Sequence, residues 1–261
     1  QKLGRTAINK PSNSDVYTTE LAEFMESFSR VAVPKHLNHS FFIAGGALAV
    51  ENAMKVAFDW KVQKNFQKGY RHELGHKVLH FEKAFHGRTG YTLSVTNTLA
   101  DKVKFFPKFD WPRVISPATT FPETAESLKL VVEQEELALA QAERFFEQFK
   151  DDIACILIEP IQGEGGDRHF RLEFHQALRD MADRHEALLI YDEVQTGVGM
   201  TGKFWAHEHF VKPDILSFGK KAQVCGILAG PRVDEVETNC FKVSSRINST
   251  WGGNLVDMVR F

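Results

Sequence analysis

Ile153-Ala154-Cys155-Ile156-Leu157-Ile158-Glu159-Pro160, followed at once by Ile161-Gln162-Gly163-Glu164-Gly165-Gly166, decides the fold. The first part is apolar without alternation, is shorter than an ordinary helix, and ends on an acid before a glycine-rich turn. A strand covered on both faces by helices reads this way. Working outward, Ala187 to Val194 and Asp214 to Phe218 repeat the pattern, and Val78 to Phe85 is a further short apolar run. Helical spacing fills the intervals. It marks Thr18 to Val33 through Leu21, Phe24, Met25 and Phe28, and Ala47 to Lys61 through Val50, Met54, Ala57 and Phe58. It also marks the Glu-rich segment Thr124 to Phe149, Glu173 to Arg184, and a stretch around Phe204 to Val211. Strands alternating with helices predict an α/β fold with a mostly parallel central sheet flanked by helices.

Composition sets wide bounds. With 261 residues, 43% hydrophobic and 25% charged, the chain can build a sizeable core as one large domain or two. The formal net charge of −2 is mixed along the sequence, which argues against a basic face for nucleic acid or anionic lipid. No apolar run approaches the roughly 18 residues that span a bilayer. Gln1 to Lys10 lacks the apolar core of a signal peptide, and the absence of an initial Met reads as a trimmed or partial chain. Cys155, Cys225 and Cys240 are too few and too widely spaced for a disulfide framework or a CxxC metal site, so a reducing, cytoplasmic setting is expected.

In open α/β sheets ligands bind beyond the carboxyl ends of the strands, so the residues after each apolar run carry the chemistry. Here they are Glu159 with its glycine turn, Asp192-Glu193-Val194-Gln195-Thr196-Gly197, and Gly219-Lys220-Lys221. A carboxylate and a lysine on neighbouring strand ends can address opposite ends of one flat ligand. Pyridoxal 5'-phosphate (PLP) needs an amine for an imine, an acid beside its pyridine nitrogen, a stacking partner and donors for its phosphate. Lys220, Asp192, Phe85 or His86, and the N–H groups of Gly46 and Ala47 at the start of a helix match these needs. Thr250, in Asn248-Ser249-Thr250-Trp251-Gly252-Gly253, adds a further phosphate donor.

Taken in order, a glycine turn, Phe85-His86-Gly87, Glu159-Pro160-Ile161-Gln162-Gly163-Glu164-Gly165-Gly166, Asp192-Glu193-Val194-Gln195-Thr196-Gly197, Gly219-Lys220 and Ser249-Thr250-Trp251-Gly252-Gly253-Asn254 resemble the class III aminotransferases from Phe41 onward. Gly45 to Asn52, Phe85 to Arg88 and Phe218 to Gly226 look like the subgroup acting on the terminal amine of L-lysine; Leu48 stands where the commoner family form has an acid. The resemblance implies fold type I, PLP on Lys220, a homodimer with shared active sites, and transfer of the amino group to 2-oxoglutarate. It implies that Val194 packs on the ring face opposite Phe85 and that Gln195 bonds near the phenolic oxygen. It also implies that Arg88 faces the substrate carboxylate, that Glu164 gates between the two substrates, and that Thr250 reaches the partner's cofactor. Ornithine and 4-aminobutyrate enzymes of the class share the cofactor residues, so those donors stay open, as does a truncated, non-catalytic interaction subunit. Family members extend further at both ends. The expected division is therefore 1–40 as an N-terminal helical and linker segment and 41–261 as a PLP-binding large domain, with the C-terminal small domain absent.

Competing readings are weaker. Gly197 to Phe204 nearly spells a nucleotide-binding P-loop, but Phe204 stands where a hydroxyl should bind Mg²⁺, and the acid precedes the loop on the same strand. His207-Glu208-His209 reads as a solvated helix, because residues i and i+2 do not share a helix face, so no metal is expected. Glu133 to Glu147 reads as an exposed helix face. Lys221 is expected to be structural, and His86 to pack or stack.

Overall fold

The computed structural model describes residues 1–9 and 11–261; Lys10, at the end of the N-terminal stretch, lies outside them. The chain opens with α1 (Lys2–Ile8) and α2 (Thr19–Val31), then β1 (His39–Ile43) and α3 (Gly46–Gln67). Next come β2 (Lys77–Phe81), the short α4 (Gly90–Val95), β3 (Arg113–Val114) and α5 (Ala125–Gln148). The second half runs β4 (Ile153–Ile158), a small hairpin of β5 (Ile161–Gln162) and β6 (Arg168–His169), α6 (Leu172–Arg184), β7 (Leu188–Asp192), β8 (Ile215–Phe218), β9 (Cys225–Ala229) and α7 (Leu255–Arg260). Among the described residues seven strands form one sheet in the order β1-β9-β8-β7-β4-β2-β3. The pairs from β3 through β8 are parallel, while β9 turns back against β8 and β1 pairs antiparallel with β9.

Local chemistry explains the main helices. Thr18 caps α2, its hydroxyl accepting the amide of Leu21 at 3.1 Å, and Phe24 and Phe28 on its apolar stripe are buried. Thr124 and Ser127 form a reciprocal capping box at the start of α5, whose Val131, Ala138, Ala142 and Phe146 face inward. Strand periodicity divides the core. Leu157, Leu188 and Ile190 pack towards α3, whereas Ile158, Leu189 and Tyr191 pack with Ala142, Phe146 and Phe174 of α5 and α6. A third cluster joins Phe28 of α2 to Phe218 and Leu228 of the sheet and Met258 of α7.

Several sequence expectations are corrected. The run from Val78 ends as a strand at Phe81, because Lys83 takes a left-handed conformation (φ 59°) and the chain leaves the sheet before Phe85. Helix α3 continues beyond Lys61 to Gln67. The helix expected around Phe204 to Val211 is only a 3-10 turn, Ala206–His209, in which His207 is buried and not solvated. Glu135 in the Glu-rich face is also buried, held at 2.8 Å by Arg171. The near P-loop from Gly197 is a series of turns with no α-helix behind it, so no phosphate cradle forms there. Strand β1 crosses residue 40 and ties the N-terminal segment into the sheet.

Lys61 is fully buried on α3, and its ammonium donates to the carbonyls of Glu186 (2.7 Å) and His185 (3.3 Å) at the end of α6, with Asp151 at 3.8 Å. A cation at a helix C-terminus is favourable, yet burial still pulls the pKa of Lys61 down to about 8. Lys61→Ala would leave the α6 carbonyls and Asp151 without this partner and is expected to cost about 3 kcal/mol of stability, as removal of one partner from a buried ionic cluster does. Urea denaturation at neutral pH checks this; a loss under about 1 kcal/mol would show that water replaces the ammonium.

Candidate active site

Three neighbouring parallel strands, β2, β4 and β7, deliver buried polar groups to the same end of the sheet. Past β2 the backbone amide of His86 donates to the Thr96 hydroxyl (2.9 Å), which in turn donates to the carbonyl of Gly87 (2.7 Å), fixing this turn. The ring then donates from Nδ1 to Asp192 Oδ2 at 2.7 Å, with the two side chains 0% and 4% exposed. Asp192 ends β7, and its other oxygen accepts the Val194 amide (3.1 Å) and the Ser217 hydroxyl (3.2 Å). Its neighbour Glu193 bonds instead to the amide and ring of His207, both at 2.9 Å, and to the amide of Ala206. The adjacent acids thus serve different regions. His207 is absorbed in that contact, and no group of three or more metal-ligating side chains occurs among the described residues.

Glu159, just past β4, is the third buried group. Its Oε1 accepts the amide of Phe85 at 2.9 Å, and it is 3% exposed. Burial pushes its carboxyl up to about 7; the His86 ring works against the shift and the Asp192 charge adds to it.

Lys220 stands in the turn between β8 and β9, with a left-handed backbone (φ 47°) that a lysine adopts only under local constraint. Its Nζ donates to the side-chain carbonyl of Gln195, while Lys221 donates to that residue's backbone carbonyl. Glycine is required where this turn meets α3. A Cβ on Gly219 would lie 2.9 Å from the sulfur of Cys225, and one on Gly46 would lie 2.9 Å from a methyl of Val194. Helix α3 begins after Gly45 without a side-chain cap, so its first amides and positive dipole end remain free for an anion.

These groups surround a cavity of about 290 Å³ lined by Gly46, Ala47, Phe85, His86, Asp192, Val194, Gln195 and Lys220, with Glu159 and Glu164. Most of the residues singled out from sequence therefore meet at one place. Arg88 and Thr250 do not line this cavity: Arg88 is exposed just beyond Gly87, and Thr250 is exposed with its carbonyl taking the Ser14 hydroxyl at 2.8 Å. Sequence reasoning noticed Glu159 as a strand end but gave it no role, and did not foresee that His86 reaches Asp192.

A cavity at the carboxyl ends of parallel strands, with a helix N-terminus, an acid and a lysine around it, suits a flat anionic cofactor. The class-III aminotransferase family matches residues 8–260, and the chain belongs to that family. It is 57% identical to the L-lysine-epsilon aminotransferase of Mycobacterium tuberculosis over 99% of its own length, and 54% identical to that of Amycolatopsis lactamdurans. It spans 57% of the length of both relatives. The solved lysine aminotransferase from M. tuberculosis superposes with a TM-score of 0.96 at 56% identity, over 99% of this chain and 59% of that one. The sheet and its flanking helices are thus the PLP-dependent fold type I expected from sequence.

Glu159 yields a pH test. The folded carboxyl keeps its proton up to about pH 7, whereas in the unfolded chain it ionises near 4.5. Between those values the native state binds the extra proton, so this group's contribution to stability falls as pH rises and is flat above the folded pKa. Glu159→Gln removes the titration. The stability of the parent minus that of the variant is expected to fall by about 1–3 kcal/mol between pH 5 and pH 8 in urea denaturation. A pH-independent difference would show that Glu159 ionises normally.

Proposed function

We propose that this chain is the cofactor-binding part of a PLP-dependent aminotransferase that moves the terminal amino group of L-lysine to 2-oxoglutarate, giving 2-aminoadipate 6-semialdehyde and glutamate. The observation that carries this reading is the meeting of Lys220, Asp192 and the uncapped start of α3 at one cavity. Identity of 54–57% to relatives named for lysine supports that donor over ornithine or 4-aminobutyrate.

PLP is a flat ring with a phosphate arm, and the residues present fit it. Phe85 and Val194 give the cavity apolar lining, and the amides at Gly46 and Ala47 would offer phosphate donors. When bound, the cofactor supplies an electron sink that lets an amino group leave one carbon and enter another. Oδ2 of Asp192 keeps a lone pair after accepting from His86, and this carboxylate would hold the cofactor's ring nitrogen in its protonated form. Nζ of Lys220 would hold the cofactor and, when freed by the amino donor, would serve as the base that takes the proton from the donor carbon and as the acid that gives it up again to the cofactor. Gln195, which accepts from Lys220, would steady that amine and would bond near the cofactor's phenolic oxygen. Arg88, exposed just beyond Gly87 and not part of the cavity wall, would hold the α-carboxylate of the donor from outside it through the planar fork of its guanidinium. Glu164 gates the mouth between the two substrates, and Thr250 serves the cofactor of a second copy in a homodimer.

Residues 41–261 form the large domain in this reading, with 1–40 as a helical segment attached through β1. The setting is cytoplasmic, which three buried thiols favour. Among the described residues no helix is long and apolar enough to cross a membrane.

Loading the chain with PLP, reducing with borohydride and mapping peptides by mass spectrometry is expected to place the label on Lys220. Label on Lys221, or none, overturns the assignment. Asp192→Ala is expected to retain PLP uptake while turnover in the full-length parent falls about a hundredfold or more, because the acid tunes the ring and the phosphate contacts hold it.

A further inference from the structure

The segment that carries Arg88 is fastened to α3 at two points one helical turn apart. At the first, Gly87 lies so close to Ala47 that a Cβ on the glycine would stand 2.4 Å from that of the alanine. At the second, Oε1 of Glu51 accepts the hydroxyl of Thr89 (2.7 Å) and the amide of Tyr91 (2.8 Å). Ala47 and Glu51 are spaced i and i+4, so both points stand on one face of α3. The Thr89 amide donates to the Thr92 hydroxyl at 3.0 Å, closing the first turn of α4, and the Gly87 carbonyl is taken by the Thr96 hydroxyl. Arg88 stands between these anchors. Its backbone is held from both sides, yet its side chain is exposed and makes no hydrogen bond or ion pair among the described residues.

We propose that Glu51 is a positioning residue for Arg88: by tying Thr89 and the first turn of α4 to α3, it fixes the point from which the guanidinium reaches out, and so favours amino donors that carry a carboxylate. The proposal rests on the reading of Arg88 as the anchor of the donor's α-carboxylate. A guanidinium takes a carboxylate through two parallel bonds only from a defined direction, so an arginine whose backbone shifts loses that geometry while keeping its charge. The Gly87 contact alone does not set the direction, because a glycine has no side chain to hold and turns freely about its backbone. The polar anchor on the far side of Arg88 does. Glu51 meets amides at the start of α4 that have no partner within the helix, where a carboxylate is favoured. It does not line the cavity and acts only through the segment it holds.

In the full-length parent, calorimetry with hexanoate, which has the carbon chain and carboxylate of lysine but no amine, reads the carboxylate anchor without any reaction. Glu51→Ala is expected to weaken hexanoate about five- to tenfold and to raise KM for L-lysine by a similar factor, with kcat within about twofold of the parent. Cadaverine, which is lysine without its carboxylate, is expected to keep its kcat/KM within about twofold. Glu51→Gln retains an acceptor oxygen and is expected to stay within about threefold of the parent. Thr89→Val removes the hydroxyl and leaves the carboxylate, so it tests the same anchor whether or not Glu51→Ala folds; hexanoate is expected to weaken about two- to threefold. In an Arg88→Ala background Glu51→Ala is expected to add no further loss. Equal losses for lysine and cadaverine, or a loss that persists in full without Arg88, overturn the proposal alone. Parent-like hexanoate binding by Arg88→Ala overturns the reading of Arg88 and the proposal with it.

Discussion

The hydrogen bond from His86 to Asp192 is the contact on which the cavity depends. Both side chains are removed from water, and a buried carboxylate is tolerated only when its lone pairs are engaged. His86, the Val194 amide and the Ser217 hydroxyl meet that need together, drawing the turn after β2, the turn after β7 and strand β8 to one carboxyl group. Glu159, at the end of the strand between β2 and β7, cannot share the same solution. Burial is what raises its pKa; the Asp192 charge adds to the shift and the single nearby imidazole only partly offsets it.

Close backbone approach completes the enclosure. A Cβ on Gly87 would stand 2.4 Å from that of Ala47, and one on Gly165 would stand 2.1 Å from the carbonyl oxygen of Lys83. The first contact seats the Phe85-His86 turn against the start of α3; the second seats it against the turn that carries Glu164. The glycines of these motifs thus act as packing surfaces between loops and not only as sources of backbone freedom.

Much of this was legible in the sequence, for definite reasons. Strands β4 and β7 are buried on both faces, so their apolar runs are uninterrupted, and the reactive residues follow directly from where those runs stop. Strands β1 and β9 escaped notice: His39 and Ser40 open one with polar residues, Gly226 interrupts the other, and their pairing spans nearly the whole chain. The partners of His86 and Glu159 were equally hidden, because a contact between residues far apart in sequence leaves no periodic trace. Arg88, by contrast, was named through resemblance alone and does not line the cavity in this chain.

The turn that carries Lys220 bears on how the site comes together during folding. It joins two adjacent antiparallel strands, and Lys220 lies only 25 residues from Gln195, whereas His86 and Asp192 are separated by 106. Closing the longer loop costs about 1.3 kcal/mol more in chain entropy by the logarithmic rule, and contacts of high sequence separation are slow to form. The lysine side of the cavity is therefore the local, early half. The acid and imidazole meet only when β2 docks beside β4, so a chain folding from the unfolded state presents its amine before it has the enclosure that would hold a ligand against it.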